Sequence, residues 1–519
     1  MPTGPKPPTL QQLLDIAEDF GIELTEDDAE DFRSLMVGTM DSYRRVETYP
    51  ELRPEVKYPR TPGYRPAAED NPFNAWYWRC RIEGADSGPL KGVEVGIKDC
   101  ISVAGVPMMN GCQVFEGFVP DVDATVVTRL LDAGATVVGK TNAADCSFSG
   151  SGHTCAHGPV RNPRRPTHSP GGSSKGSGAA VAAGDVTMAL GADQGGSIRI
   201  PGAWCGIVGM KPTYGLVPYT GCMMIEMTLD TCGPMTDTVE SAARMLSAIA
   251  GPDPLDPRQR GVCPPDWVSD YLPALGAGVQ GLRIGVVREG FDQPEGAIGG
   301  LPGSDPGVDA AVRATIQRLE AAGAIATEIS IPMHVDAFHV WNVVAIEGAT
   351  EFMLKGRGAG TNWEGFYNTN LIDMVGRGFD SRATDFPTTV KLLLLLGEHM
   401  YRAYHGRYYA KAQNVRHLTR RAYDDALASY DVLVMPTIPI VSKPIPERDA
   451  AIPDSVFHSL CMIQNTPQFN VTGHPAISVP CGVVDGLPVG FQVVGRHFDD
   501  LTVLRVADAV ERSADWQSC

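Results

Sequence analysis

Apolar positions along this chain repeat with two different periods. Around residues 93–97, Val93, Val95 and Ile97 alternate with other side chains, the period of a half-buried strand. Residues 125–133 (TVVTRLLDA) carry a helical stripe, and 136–139 return to a strand. Val181 and Ala182 lie in an Ala-rich helix, followed by a strand over 186–190. Helices are predicted over 239–249, 308–322 and 501–511, and strands over 282–287, 432–435, 476–479 and 489–494. Strands and helices in alternation predict an α/β fold, a mixed sheet with helices on both faces. Residues 253–307 are rich in Pro and Gly and read as an excursion, and the region 308–430 reads as largely helical and inserted.

The first 70 residues read differently. Thr9 with Gln12 makes a capping box, Leu10, Leu13, Leu14 and Ala17 form a stripe, and Gly21 stops the helix. Thr25 with Asp28 opens a second helix, with a stripe of Phe32, Leu35, Met36, Met40 and Tyr43. Five prolines between 50 and 66 mark an extended linker. Residues 1–70 are therefore an α-helical extension and linker, and 71–519 the main domain. A helix pair of this size cannot bury its apolar faces alone, so it is expected to dock on the main body or on another subunit.

Composition narrows the function. The 519 residues are 43% hydrophobic and 20% charged, enough to fill a core and too apolar for disorder. A net charge of −18 argues against nonspecific binding to nucleic acid or to an anionic membrane. No apolar run reaches the roughly 18 residues of a membrane span. The opening MPTGPKPPTL lacks the apolar core of a secretory signal, so a cytoplasmic location is expected. The twelve cysteines are scattered with no C-x-x-C, so buried thiols are expected rather than disulfides or zinc ligands.

The chemistry concentrates in SPGGSSKGSGAAVAAGDVTMALGADQGGSIRIPGAWCGIVGMKPT, residues 169–213. Two Gly-rich loops each deliver a serine there, Ser173 and Ser197. Successive backbone N–H groups around Gln194, Gly195 and Gly196 can converge on a small anion beside the Ser197 hydroxyl, an oxyanion hole. A serine nucleophile needs a proton acceptor. Lys98 closes the apolar strand in Gly96-Ile97-Lys98-Asp99, where desolvation would lower its pKa and free a lone pair.

With these residues in place, the segment resembles the amidase signature family of serine hydrolases. The resemblance runs from about residue 70 to the C-terminus, on GADQGGSIRIP and CGIVGMKPTYGLVP above all. It implies a lysine paired with a serine held through a cis peptide, which bridges to the nucleophilic serine. The matching positions are Lys98, Ser173 and Ser197, separated by 75 and 24 residues. DATVVTRLLDAGATVVGK, AFHVWNV, FNVTGHPAISVP and GRHFDDLTVLRV further resemble bacterial amidases that work beside nitrile hydratase. That implies hydrolysis of a small carboxamide to carboxylic acid and ammonia, and a homodimer to which the N-terminal helices contribute. Phe148 and Leu229 match positions lining the acyl pocket in the resembling enzymes, Trp341 in FHVWNV is a further pocket candidate, and each could equally be core. Asp193 and Arg199 brace the oxyanion loop or form an ordinary structural ion pair. The chain departs from the family in carrying Lys175 where Gly-Gly-Ser-Ser-Gly-Gly has its fifth residue. A cation opening a helix is unfavourable by roughly 0.3–1 kcal/mol, and Lys175 is expected to be solvated, the alternative being that it reaches the substrate pocket.

Other readings are weaker. Gly172 to Gly176 matches G-x-S-x-G, but no strand precedes it. His474 reads as a structural loop residue. Neither a P-loop nor H-E-x-x-H occurs, so no nucleotide, cofactor or catalytic metal is expected. The alternatives to a free-standing amidase are a glutamine amidase subunit feeding ammonia to a tRNA-dependent partner, a hydrolase of anilide or carbamate bonds, and a non-catalytic binding homologue.

Overall fold

In a computed structural model, residues 5–519 are described. Met1–Gly4, the start of the stretch read as lacking a secretory signal, lie outside them. The chain forms two compact units, one ending at Arg53 and the other running from Pro54 to Cys519. Residues 54–70, assigned from sequence to the extension, thus belong with the second unit, where Tyr64 bridges to Arg79.

In the first unit, helices Leu10–Phe20 and Glu26–Val46 each begin with the expected capping box, at Thr9 and Thr25. Gly21 ends the first at φ 66°. Leu13, Ala17 and Ala29 are buried. The second stripe is narrower than expected: Met36 and Met40 are half-buried as the stripe requires, but Phe32, Leu35 and Tyr43 are exposed, because the inward face runs along Ala29, Met36 and Met40.

The second unit is built on an eleven-stranded mixed sheet. Its strands are β1 (Trp76–Glu83), β2 (Glu94–Lys98), β3 (Thr136–Thr141), β4 (Met188–Asp193), β5 (Val208–Lys211) and β6 (Thr231–Thr236). They continue with β7 (Arg283–Val287), β8 (Ile325–Ile329), β9 (Val432–Pro436), β10 (Ala476–Val484) and β11 (Leu487–Val494). The spatial order is β1-β3-β2-β4-β6-β5-β10-β11-β9-β7-β8. Parallel pairs β3/β2/β4 and β9/β7/β8 are joined by antiparallel strands between them. The α/β reading with a mixed sheet and flanking helices holds.

Four strands fall outside the sequence reading. β6 contains Gly233 and Pro234, which argue against a central strand. Pro234 is tolerated because β5 pairs only with Met235 and Thr236, so nothing on that side asks for its missing N–H. β5 has only four residues, β1 precedes the first recognised alternation, and β8 is a half-exposed edge strand inside the region read as helical.

The sheet places the chemistry through one relationship. β2 and β4 are parallel neighbours, with Ile97 opposite Leu190. Both therefore end on the same edge, where Lys98 and the loop after Asp193 meet. Helix Lys175–Ala183 enters β4 from the other side, bringing Ser173 to that edge. Outside the carboxyl ends of parallel strands is where open α/β sheets leave room for ligands.

Candidate active site

Lys98 and Ser173 are each 1% exposed, and Lys98 Nζ lies 2.7 Å from Ser173 Oγ. Nζ also donates to the Ala192 carbonyl at 3.1 Å. Burial pushes the ammonium pKa down, against the pull of nearby acidic groups that include Asp193 and Asp230. The Gly172–Ser173 peptide is cis, as the family resemblance implies. Ser173 is pinned by its carbonyl, which accepts from Ala144 N–H at 3.0 Å. Ser174 knits the loop to β4, its hydroxyl donating to Ala192 O at 3.1 Å and accepting from Ala192 N–H at 3.2 Å.

Ser197 is half-buried in the wall of a partly open cavity. Its carbonyl accepts from Ser174 N–H at 3.2 Å, which ties the two serine loops together. Among the described residues nothing hydrogen-bonds to the Ser197 hydroxyl, so the structure brings Lys98 to Ser173 by a side-chain bond and Ser197 to the same loop through the backbone.

The loop from Gln194 to Ser197 owes its shape to two close approaches. A Cβ on Gly195 would sit 2.6 Å from the Trp341 ring, and one on Gly196 would sit 2.4 Å from Thr466 Oγ1, at a φ of +129°. Trp341 Nε1 donates to Gln194 O at 2.9 Å, and Thr466 Oγ1 to Gly195 O at 2.7 Å. The outward carbonyls are thus satisfied while the Gln194, Gly195 and Ser197 N–H groups have no protein acceptor among the described residues. Gly196 differs from the expectation: its N–H donates to Asp193 Oδ1 at 2.7 Å and is not free to meet an anion.

Asp193 also accepts from Ile198 N–H at 3.1 Å, Arg199 Nη2 at 3.0 Å and Asn470 Nδ2 at 2.9 Å. Burial opposes its charge, but Arg199 and these bonds outweigh it and hold the carboxyl down at about 2. Arg199, fully buried, continues to Thr466 O at 2.8 Å and Gln492 Oε1 at 3.0 Å. Asp193 and Arg199 therefore brace the loop from beneath. Asn470, Thr466 and Gln492 complete this brace and were not singled out from sequence. A lone buried amide or hydroxyl has no spacing signature.

Phe148 and Trp341 line the cavity, with Ser147, Ser149, Ile200, Leu460 and Ile463. Leu229 does not. It is buried in the core, where its carbonyl faces Asn470. His474 is buried away from the cavity, as a loop residue bonded to Thr472 and Asp424.

Lys175 departs from the expectation of a solvated side chain. It is 0% exposed, and its Nζ donates to Thr154 O at 2.6 Å and Gly152 O at 3.2 Å. Carbonyls from a distant segment converge on it, which overrides the unfavourable helix-start position. Burial depresses its pKa, and Cys155 and Asp145 pull it back up. The cysteines are free thiols, most of them buried.

A sequence profile described as Amidase matches residues 74–504. The chain belongs to the amidase family. This amidase is 47% identical over 507 residues to a protein of Rhodococcus rhodochrous named enantioselective amidase, covering 96% of this chain and 95% of that one. It is 39% identical over 445 residues to a glutamyl-tRNA(Gln) amidotransferase subunit of Methanosarcina acetivorans, covering 84% and 87%. The crystal structure of the same subunit from Thermotoga maritima superposes with a TM-score of 0.67 at 30% identity, over 97% of this chain and 94% of that one. The amidase is therefore an amide-hydrolysing enzyme, and the higher identity favours amidase over the amidotransferase component. Among the described residues no helix is long and apolar enough to cross a membrane.

Proposed function

We propose that this amidase hydrolyses small carboxamides through an acyl-enzyme on Ser197, with Ser173 and Lys98 as the proton relay. Ser197 Oγ attacks the amide carbonyl. Its proton passes to Ser173 Oγ as the Ser173 proton passes to neutral Lys98 Nζ. The developing oxyanion meets the N–H groups of Gln194, Gly195 and Ser197. The relay then returns a proton to the amide nitrogen, the C–N bond breaks and ammonia leaves. Water, deprotonated by the same relay, attacks the ester carbonyl and releases the carboxylic acid. No cofactor or metal takes part in these steps.

The observation that carries this reading is the 2.7 Å contact between a desolvated lysine and Ser173. A strongly perturbed base beside a serine in a cleft is the arrangement that nucleophilic catalysis needs. The apolar walls of Phe148, Ile200, Leu460 and Ile463 fit an apolar acyl group of modest size. The test is ammonia release across a panel of aliphatic and aromatic amides, together with labelling by a fluorophosphonate. Ser197→Ala is expected to abolish both, and Ser173→Ala to lose several orders of magnitude while still binding substrate. Labelling that survives in Ser197→Ala would reject the assignment.

Residues 71–519 are taken as the amidase signature domain. The helical unit is assigned to a homodimer contact, supported by exposed Phe20, Phe32, Leu35 and Val46. Buried free thiols fit a reducing, cytoplasmic setting. Deleting residues 1–53 is expected to lower the mass seen by light scattering, and an unchanged oligomer counts against the helices as the contact.

A further inference from the structure

Three segments that are far apart in sequence bring Asp424, His474 and His497 together. Asp424 lies on helix Arg407–Ser429, His474 follows helix Gln468–Thr472, and His497 lies between β11 and helix Asp500–Ser513. One ligand atom from each lies within 4.8 Å of the other two. Asp424 Oδ1 is 3.1 Å from His474 Nε2 and 3.6 Å from His497 Nδ1. Neighbouring ligands around a tetrahedral zinc, with bonds of about 2.0–2.1 Å, stand about 3.3–3.4 Å apart. The two edges fit that spacing without rebuilding the backbone.

The donor atoms are also correctly presented. His497 Nε2 is 2.9 Å from the Thr472 carbonyl, which can only accept, so the N–H is on Nε2 and the Nδ1 lone pair faces Asp424. His474 Nδ1 is 2.8 Å from the Thr472 hydroxyl, which can accept a hydrogen bond from Nδ1–H, and in that tautomer the Nε2 lone pair faces Asp424. One threonine thus orients both imidazoles, the outer-shell arrangement that fixes the tautomer of a ligating histidine. Arg420 approaches the other carboxylate oxygen, Oδ2, at 3.5 Å and leaves Oδ1 to the site. Asp424 is half-exposed, which gives an ion entry and a solvent position for a fourth ligand.

We propose that Asp424, His474 and His497 form a binding site for a divalent first-row transition ion, zinc by preference, separate from the catalytic cavity. None of the three lines that cavity. Two imidazoles and one carboxylate suit zinc, cobalt or nickel better than magnesium or calcium, which favour all-oxygen shells. The ion clips the long helix to the segments after Thr472 and β11. Its role is to stabilise the fold.

The experiment uses the full chain without a polyhistidine tag, stripped by a chelator and titrated with Zn²⁺ in a calorimeter. One equivalent is expected to bind, with a rise in melting temperature. Asp424→Asn and His497→Gln, at the accessible side of the site, should each weaken binding at least tenfold and remove the melting shift. Co²⁺ should give visible d–d bands without a thiolate charge-transfer band. The proposal is overturned by the lack of a stoichiometric site, by binding that both variants leave intact, or by a thiolate band that assigns the ion to Cys155, Cys263 or Cys519.

Discussion

Lys98 Nζ and Ser173 Oγ are hydrogen-bonded at 2.7 Å inside a site from which water is excluded on the lysine side. Water exclusion makes lysine a usable base, since an ammonium costs far more free energy there than the neutral amine does. Activity should therefore rise with pH as Lys98 loses its proton, at a pKa below the usual lysine value, and hold on the alkaline side. Lys98→Ala should lose nearly all turnover. Lys98→Arg should do no better, because a guanidinium cannot accept a proton. The check is a pH profile of kcat for each enzyme. Substantial activity of Lys98→Arg at mildly alkaline pH would show that only a charge is required.

Gly195 and Trp341 set the second prediction. A methyl at position 195 would stand only 2.6 Å from the indole, so Gly195→Ala must push the ring or the loop aside. The loop carries the free N–H groups, so kcat should fall by about 10²–10³-fold, the usual cost of a misplaced oxyanion donor. The melting temperature should change little by comparison. Trp341→Leu added to Gly195→Ala makes room for the methyl and should recover part of the loss. Equal kcat for the single and double variants would place the damage elsewhere.

Local pattern explains how much of this was legible. Lys98, Ser173 and Ser197 lie on segments whose alternation or Gly-rich character is visible without a fold, and the family motif joins them. Gly196 shows the limit. Its N–H looks like its neighbours' in the sequence, but Asp193, three residues earlier, captures it in space. Asn470 and Thr466 act across more than 260 residues, a relation that no local period encodes. Lys175 and the positions Phe32, Leu35 and Tyr43 on helix Glu26–Val46 were misjudged for the same reason. Tertiary partners, not propensity, decide which side chains are buried.

Asp193 carries the third prediction. It is a buried carboxylate with its folded pKa depressed to about 2, below the ordinary 3.8. The sign follows: its contribution to stability is full above pH 3.8 and is lost as the pH falls toward 2. Asp193→Asn strands Arg199 without its charge partner, a loss of about 3–5 kcal/mol for a broken buried pair. Urea unfolding at neutral pH should report it, with activity abolished alongside. A midpoint near wild type would mean that Thr466, Asn470 and Gln492 alone satisfy the guanidinium.

Lys175 allows a test in which pH separates packing from charge. Replacing it with Met keeps much of the volume but takes one of two donors from each of the Gly152 and Thr154 carbonyls, which still accept from Val160 N–H and Asp145 N–H, at roughly 0.5–1.5 kcal/mol per lost bond. Asp145 adds a pH dependence. Burial raises its pKa to about 7, and Lys175 acts in the opposite direction. A carboxyl raised in the folded state favours folding at low pH, and that advantage is lost as the pH climbs through the folded value. Without Lys175 the pKa of Asp145 rises further, so ionising it costs the variant more. The stability deficit of Lys175→Met should accordingly be larger at about pH 8 than at about pH 5, where Asp145 is largely protonated in both proteins. Adding Asp145→Asn should shrink the pH-dependent part, leaving the carbonyl part and a remainder of the same sign from Lys175 itself, whose depressed folded pKa weakens the wild type as the pH falls. A deficit that is flat with pH would show that Lys175 serves the two carbonyls alone, and no deficit at all would return it to the solvated role that its position at a helix start suggests.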